Sequence, residues 1–246
     1  MELTLLDWAT IALCATMMGI TKTGIPGLGI LAVPLMAIVF EDTKESTGLL
    51  LGILILADIF AIIYHRRNAK WNHVIRLLPA AFCGIVAGYF GLKYVNNEQL
   101  KPIIGAIVLL MLIVNYLRLH GRDENETIPT PKWLAFWLGF IAGVTTMMAN
   151  AAGPVMIIYL LAMRLPKIEF VGTAAWFFFI VNWIKVPFSA NLGLMNAQSV
   201  KIDFLMLPFI FIGAISGYFF LKRIPQKAFT TVAQLLAAAA AIKLFF

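Results

Sequence analysis

Charge is what this chain has least of. Only 13% of its 246 residues are charged, against about 25% in a soluble domain. Hydrophobic residues reach 61% and the mean hydropathy is +0.90, more apolar surface than a water-soluble globule can cover. Soluble classes are thereby excluded, and the chain reads as an integral membrane protein. Cysteine is nearly absent: Cys14 and Cys83 both lie inside apolar runs, so no disulfide framework is expected and both read as buried small side chains. His65, His73 and His120 fall in expected cytoplasmic loops without metal-ligand spacing. Neither a His-Glu-x-x-His motif nor a Gly-x-Ser-x-Gly elbow nor an ATP-hydrolysing Gly-x-x-x-x-Gly-Lys-Ser/Thr loop occurs. No metal, no cofactor and no enzyme activity are therefore expected. Met1-Glu2-Leu3-Thr4 lacks a basic region, so no removable signal peptide is expected.

What is present is a series of apolar segments. A bilayer core of about 30 Å takes about 20 helical residues to cross. Segments of that kind lie at about 47–64, 77–94 and 101–117, and again at about 170–188, 202–221 and 228–245. Each half opens with a longer stretch, 6–40 and 133–164, interrupted by Thr21-Lys22-Thr23-Gly24-Ile25-Pro26-Gly27 and by Ala149-Asn150-Ala151-Ala152-Gly153-Pro154. Glycine and proline end one helix and start the next. These stretches read as two helical hairpins, either re-entrant or pairs of short spans.

The halves are copies of each other. Gly19, Thr21, Gly29, Glu45 and Gly48 recur 124 positions later as Gly143, Thr145, Gly153, Glu169 and Gly172. At an offset of 129, Pro79, Gly84, Gly88-Tyr89-Phe90 and Lys93 recur as Pro208, Gly213, Gly217-Tyr218-Phe219 and Lys222. Two long copies are a transporter-type repeat. The expected architecture is an all-α polytopic membrane protein of two inverted repeats, each a broken hairpin plus three transmembrane helices. The first repeat covers 1–120, a polar cytoplasmic linker 121–132, and the second repeat 133–246.

The net charge of +7 is distributed as membrane topology signals are, in short clusters between apolar runs, so nucleic acid is not an expected partner. If each hairpin returns to its starting side, lysines and arginines divide 12 to 6 with Lys22 at a tip, and all seven arginines share one side. The positive-inside rule then puts both termini on the non-cytoplasmic side of an inner membrane.

The two breaks lie deep in apolar sequence, where non-helical backbone persists only if buried in protein or lining a wet cavity. Each opens the N-terminus of a following helix, near Pro26 and near Pro154, and such ends attract anions. With inverted repeats the tips converge near the midplane; the plainer alternative is glycine-rich close packing. Lys22 lies on the first tip and either meets an anionic substrate or snorkels. Gly24, Gly27 and Gly153 shape the tips, while Thr21, Thr23, Thr145, Thr146 and Asn150 offer neutral donors. Asp58 lies inside an apolar run, and its repeat counterpart is Asn182. An intramembrane carboxylate marks a proton or ion path, or else holds Lys22 in place. Lys185, near a helix end, reads as snorkelling sooner than as a substrate contact. Trp176, Phe177, Phe178 and Phe179 read as packing or lipid-facing surface.

The segment Gly24-Ile25-Pro26-Gly27-Leu28-Gly29-Ile30-Leu31-Ala32-Val33-Pro34-Leu35 resembles the opening motif of the TauE/SafE sulfite-exporter family. Ala149-Asn150-Ala151-Ala152-Gly153-Pro154, Phe170-Val171-Gly172-Thr173-Ala174 and Asn182-Trp183-Ile184-Lys185-Val186-Pro187 resemble its second-half signature. The family carries consecutive glycines at the first tip, where this chain has Ile25 and Pro26. The resemblance implies a permease for sulfite, organosulfonates or related small sulfur-containing anions. The residues by themselves reach "small anion". The expected protein is a secondary transporter working by alternating access, with Lys22, Gly24, Gly27, Asn150, Gly153 and Asn182 around the anion. Its partners are that anion and the bilayer, and a homodimer is allowed. A passive anion channel and a non-transporting membrane scaffold are the competing readings.

Overall fold

The computed structural model describes residues 3–40, 43–94 and 132–243, and all their regular elements are helical. The expected third crossing at 101–117, His120 and nearly all of the linker lie outside the described residues.

Helix α1 (Leu5–Thr23) starts at a capping box. The Thr4 hydroxyl accepts the Asp7 N–H and the Asp7 carboxylate accepts the Thr4 N–H. It ends at Gly24, and Gly27 then takes φ 93°, a left-handed conformation that glycine adopts at no steric cost. A right-handed helix cannot run through that residue. It resumes as a single 3-10 turn, Leu28–Leu31, followed by α2 (Ala32–Val39). The helix expected to start near Pro26 therefore starts later, with Pro26 inside the turn. Leu3 and Phe40, at the two ends of this hairpin, border one small pocket, so the hairpin returns to the side it left.

Helices α3 (Thr43–His65) and α4 (Trp71–Tyr94) complete the described first half. In the second half α5 (Lys132–Ala149) ends at Asn150, which is left-handed at φ 52°. Helix α6 (Gly153–Ala162) then starts with Pro154 in its first turn, where a missing N–H costs nothing. There follow α7 (Lys167–Asn191), α8 (Ala197–Leu205), α9 (Leu207–Arg223) and α10 (Gln226–Lys243).

Among the described residues, Ser46–His65, Trp71–Lys93 and Lys167–Asn191 are long and apolar enough to cross a bilayer. Helices α8 and α9, bent by 50° at Met206, make a fourth span if counted together. The expected crossing at 228–245 coincides with α10, whose 18 described residues are not apolar enough to count as a span.

Glycines set the helix packing. Helix α1 lies along α9, and α4 along α5. A methyl group at Gly19 would overlap the Ile210 carbonyl and the Gly213 backbone, and one at Gly143 would overlap the Ala81 carbonyl and Gly84. Gly19 matches Gly143 in the repeat, and Gly84 matches Gly213, so the two seams are built alike. Each holds the first helix of one hairpin against the other half. Helices α3 and α7 also pack together. Gly48, early in α3, abuts Leu194 just beyond α7, and Gly172, early in α7, abuts Asn68 just beyond α3. Those contacts require α3 and α7 to run antiparallel.

Cys14 is buried, as expected, but Cys83 is exposed. Helix α4 turns one face to α5 and leaves Phe82, Cys83 and Phe90 on the outer surface.

Candidate functional site

Both chain breaks border one cavity of about 80 Å³. That is room for several waters or one small oxyanion. Of the expected residues, Thr21, Lys22, Gly27, Thr146, Asn150, Gly153 and Asn182 line it. The tips do not meet point to point. His65 Nε2 lies 3.0 Å from the Thr23 carbonyl oxygen, and Asn150 Nδ2 donates to the Thr47 carbonyl at 3.1 Å. His65 and Thr47 sit near opposite ends of α3, about 27 Å apart at 1.5 Å rise per residue. The hairpins overlap past each other, and the cavity lies between their flanks.

Lys22 belongs to the last turn of α1, where the negative end of the helix favours a cation. Its Nζ lies 2.7 Å from Asp58 Oδ1 and 4.1 Å from the centre of the Phe178 ring. Asp58 is fully buried, and its Oδ2 accepts from Asn182 Nδ2 at 2.7 Å. Both carboxylate oxygens are thus engaged. A carboxylate can only accept, so the amide nitrogen of Asn182 must face it, which leaves Asn182 Oδ1 as a buried acceptor without a partner. The Thr21 hydroxyl is likewise buried and unpartnered. Both residues line the cavity.

Lys185 does not snorkel. It is 1% exposed, and its Nζ donates to Asn150 Oδ1 at 2.5 Å and to Thr146 Oγ1 at 3.2 Å. Helix α7 is apolar on most sides, and the lysine turns to the polar side chains of the second tip. The charged side chains acting on it are Lys22 and Asp58. Two buried lysines thus stand against one carboxylate, leaving the cluster formally +1.

Three expected residues stand away from the cavity lining. Gly24 packs on the Gly217 backbone. The Thr23 hydroxyl lies 2.7 Å from the Ala214 carbonyl and 3.0 Å from that of Gly19. The Thr145 hydroxyl donates to Ala142 within its own helix. Asp58 and Lys185 stand behind the lining, each joined to a residue that forms it. Sequence reasoning missed Phe178 as the ring beneath Lys22. Its signal is the i, i+4, i+7 spacing of Phe178, Asn182 and Lys185, which puts all three on one face of α7. The histidines also differ from expectation. His65 closes α3 and is 2% exposed, while His73, in the first turn of α4, has Nδ1 2.9 Å from the Tyr159 hydroxyl. Neither lies in a loop, because each ring satisfies a polar group on a neighbouring helix.

These features define a multi-pass helical membrane protein with a largely apolar cavity that Lys22 and polar groups of both chain breaks enter, backed by the buried Asp58 and Lys185. The family model described as "Sulfite exporter TauE/SafE" matches residues 11–244. The chain belongs to that family of membrane exporters for sulfite and related anions. No curated protein and no solved structure matches it significantly. Membership in a family of transporters accords with the expectation that the chain is not an enzyme.

Proposed function

We propose that this protein is a secondary transporter that exports a small sulfur oxyanion, sulfite or an organosulfonate, across the inner membrane by alternating access. The observation that carries the reading is the cavity bordered by both breaks, with Lys22 and Lys185 buried beside it against Asp58 as the single carboxylate of the cluster. An anion there supplies the charge that Asp58 leaves unmatched. Gly153 and Pro154, at the start of α6, place the positive end of a helix on the same cavity. The Thr21 hydroxyl offers a donor to an oxyanion oxygen. Asp58 holds Lys22 in place, since both of its oxygens are occupied. Thr23, Gly24 and Thr145 shape the tips without touching the anion.

Alternating access draws on an inverted repeat. The antiparallel course of α3 and α7, the two like-built glycine seams and the bond between the counterparts Asp58 and Asn182 support that relation. The two halves rock about the α3–α7 contact, with both termini on the non-cytoplasmic side.

The test is counterflow in proteoliposomes. Vesicles loaded with unlabelled sulfite should accumulate external radiolabelled sulfite transiently and saturably, and Lys185→Met should reduce the initial rate at least tenfold. Conductance without counterflow would make the protein a channel, and the absence of both would favour a scaffold.

A further inference from the structure

The anion site leaves one buried carboxyl unused, Asp203 on α8. We propose that Asp203 is a proton-binding site, loaded and emptied from the end of the protein where α1 starts, the non-cytoplasmic end on the topology proposed above. The residue is 3% exposed, and its Oδ1 is buried without a hydrogen-bond partner. The carboxyl lies against the backbone of α3 at Gly52, where a methyl group would overlap both the oxygen Oδ2 and the carboxyl carbon. Gly52 is therefore the cradle that lets the carboxyl sit inside the helix contact.

No charge on the elements packed against α8 answers Asp203 among the described side chains; Lys44 and Glu45, in the first turn of α3 about two turns before Gly52, lie outside them. Helix α3 presents Gly52. Its Asp58 stands six residues further on and is engaged by Lys22, and its His65 stands at the far end against Thr23. Helix α9 carries Lys222 and Arg223 only in its last turn. On α8 itself Lys201 is exposed. A carboxylate buried with neither cation nor donor is strongly disfavoured, whereas the neutral acid is tolerated. The group accordingly holds a proton while α8 rests on α3, and gives it to water when the two separate.

The nearest opening lies one helical turn away, and Asp203 does not itself line it. A pocket lined by Leu3, Phe40, Leu49, Asn196, Ser199 and Ile202 opens at the N-terminal end of α8, at the same end as the start of α1. Ser199 stands one helical turn from Asp203 on the same side of α8. The 50° bend at Met206 divides α8 from α9, and it is the point about which α8 is proposed to lift from α3. Asp203 does not line the cavity between the hairpins. The assignment is thus independent of which anion that cavity takes.

Infrared difference spectra of the full protein in liposomes, taken between acid and alkaline buffer, test the assignment. A protonated-carboxyl C=O band should appear in wild type, persist in Asp58→Asn and vanish in Asp203→Asn. Carbodiimide labelling of the wild-type protein, read by mass spectrometry, decides the matter should Asp203→Asn fail to fold. An adduct on Asp203 that weakens toward alkaline pH is expected. A band unchanged in Asp203→Asn, or no adduct on Asp203 at any pH, would overturn the proposal.

Discussion

Asp58 and Asn182 stand 124 residues apart and share a 2.7 Å hydrogen bond. That separation is the offset at which the glycines of the first half recur in the second, so each residue bonds its own counterpart. The same offset pairs Lys22 with Thr146. The first half thus carries a lysine and an aspartate where the second carries a threonine and an asparagine. Charge was placed in one copy only, and Lys185, with no charged counterpart, adds the cation that the second copy lacks at Thr146.

The Lys22–Asp58 pair is buried, and its loss should be strongly non-additive. Lys22→Met takes the ion-pair partner from Asp58, and Asp58→Leu leaves both Lys22 and Lys185 without a carboxylate; either change costs about 3–5 kcal/mol. The double variant should recover most of the melting temperature in detergent while binding no anion. A double variant as unstable as the sum of its parts would mean that the pair contributes nothing as a pair.

Asn150 combines a backbone task with a side-chain task. Its φ of 52° suits asparagine or glycine, and its amide ties Lys185 to the Thr47 carbonyl. Asn150→Gly should keep the fold and lose anion affinity. Asn150→Ala should lose both, being about 1–2 kcal/mol less stable than the glycine variant. Equal melting temperatures for the two would show that the tip relaxes out of its left-handed turn.

Glycines that look alike in sequence should respond differently to a methyl group. Gly19→Ala and Gly143→Ala force one helix off another's backbone, and a cost of about 1–3 kcal/mol or more is expected. Gly153→Ala meets open space, so it should fold normally and alter only anion binding. Size-exclusion profiles and melting curves of the three variants check this. A Gly153→Ala protein that aggregates, beside a sound Gly19→Ala, would reverse the packing scheme.

The order of elements was legible because breaks and repeats are local signals. Gly27, Asn150 and Pro154 end or start helices by their own backbone chemistry, whatever surrounds them. The pairing of Asp58 with Asn182 was implicit in the repeat. Which way a side chain turns was harder to read. Lys185 shares a short stripe with Asn182 and Ser189 at i, i+3, i+7 spacing, a signal of its inward face that its place near a helix end outweighed. Cys83 was misplaced for a different reason: lipid is as apolar as a protein core, and composition does not separate the two. Asp203 gave a signal that went unread, a lone acid at the edge of an apolar run, because it has no acidic counterpart in the repeat.

Titration calorimetry of the purified protein with sulfite bears most directly on the cavity. Wild type should bind saturably at one site per chain, and Lys185→Met should bind at least tenfold more weakly, a loss of about 1.4 kcal/mol. Saturable binding of equal strength in Lys185→Met would place the anion elsewhere, and no saturable binding in wild type would remove the site altogether.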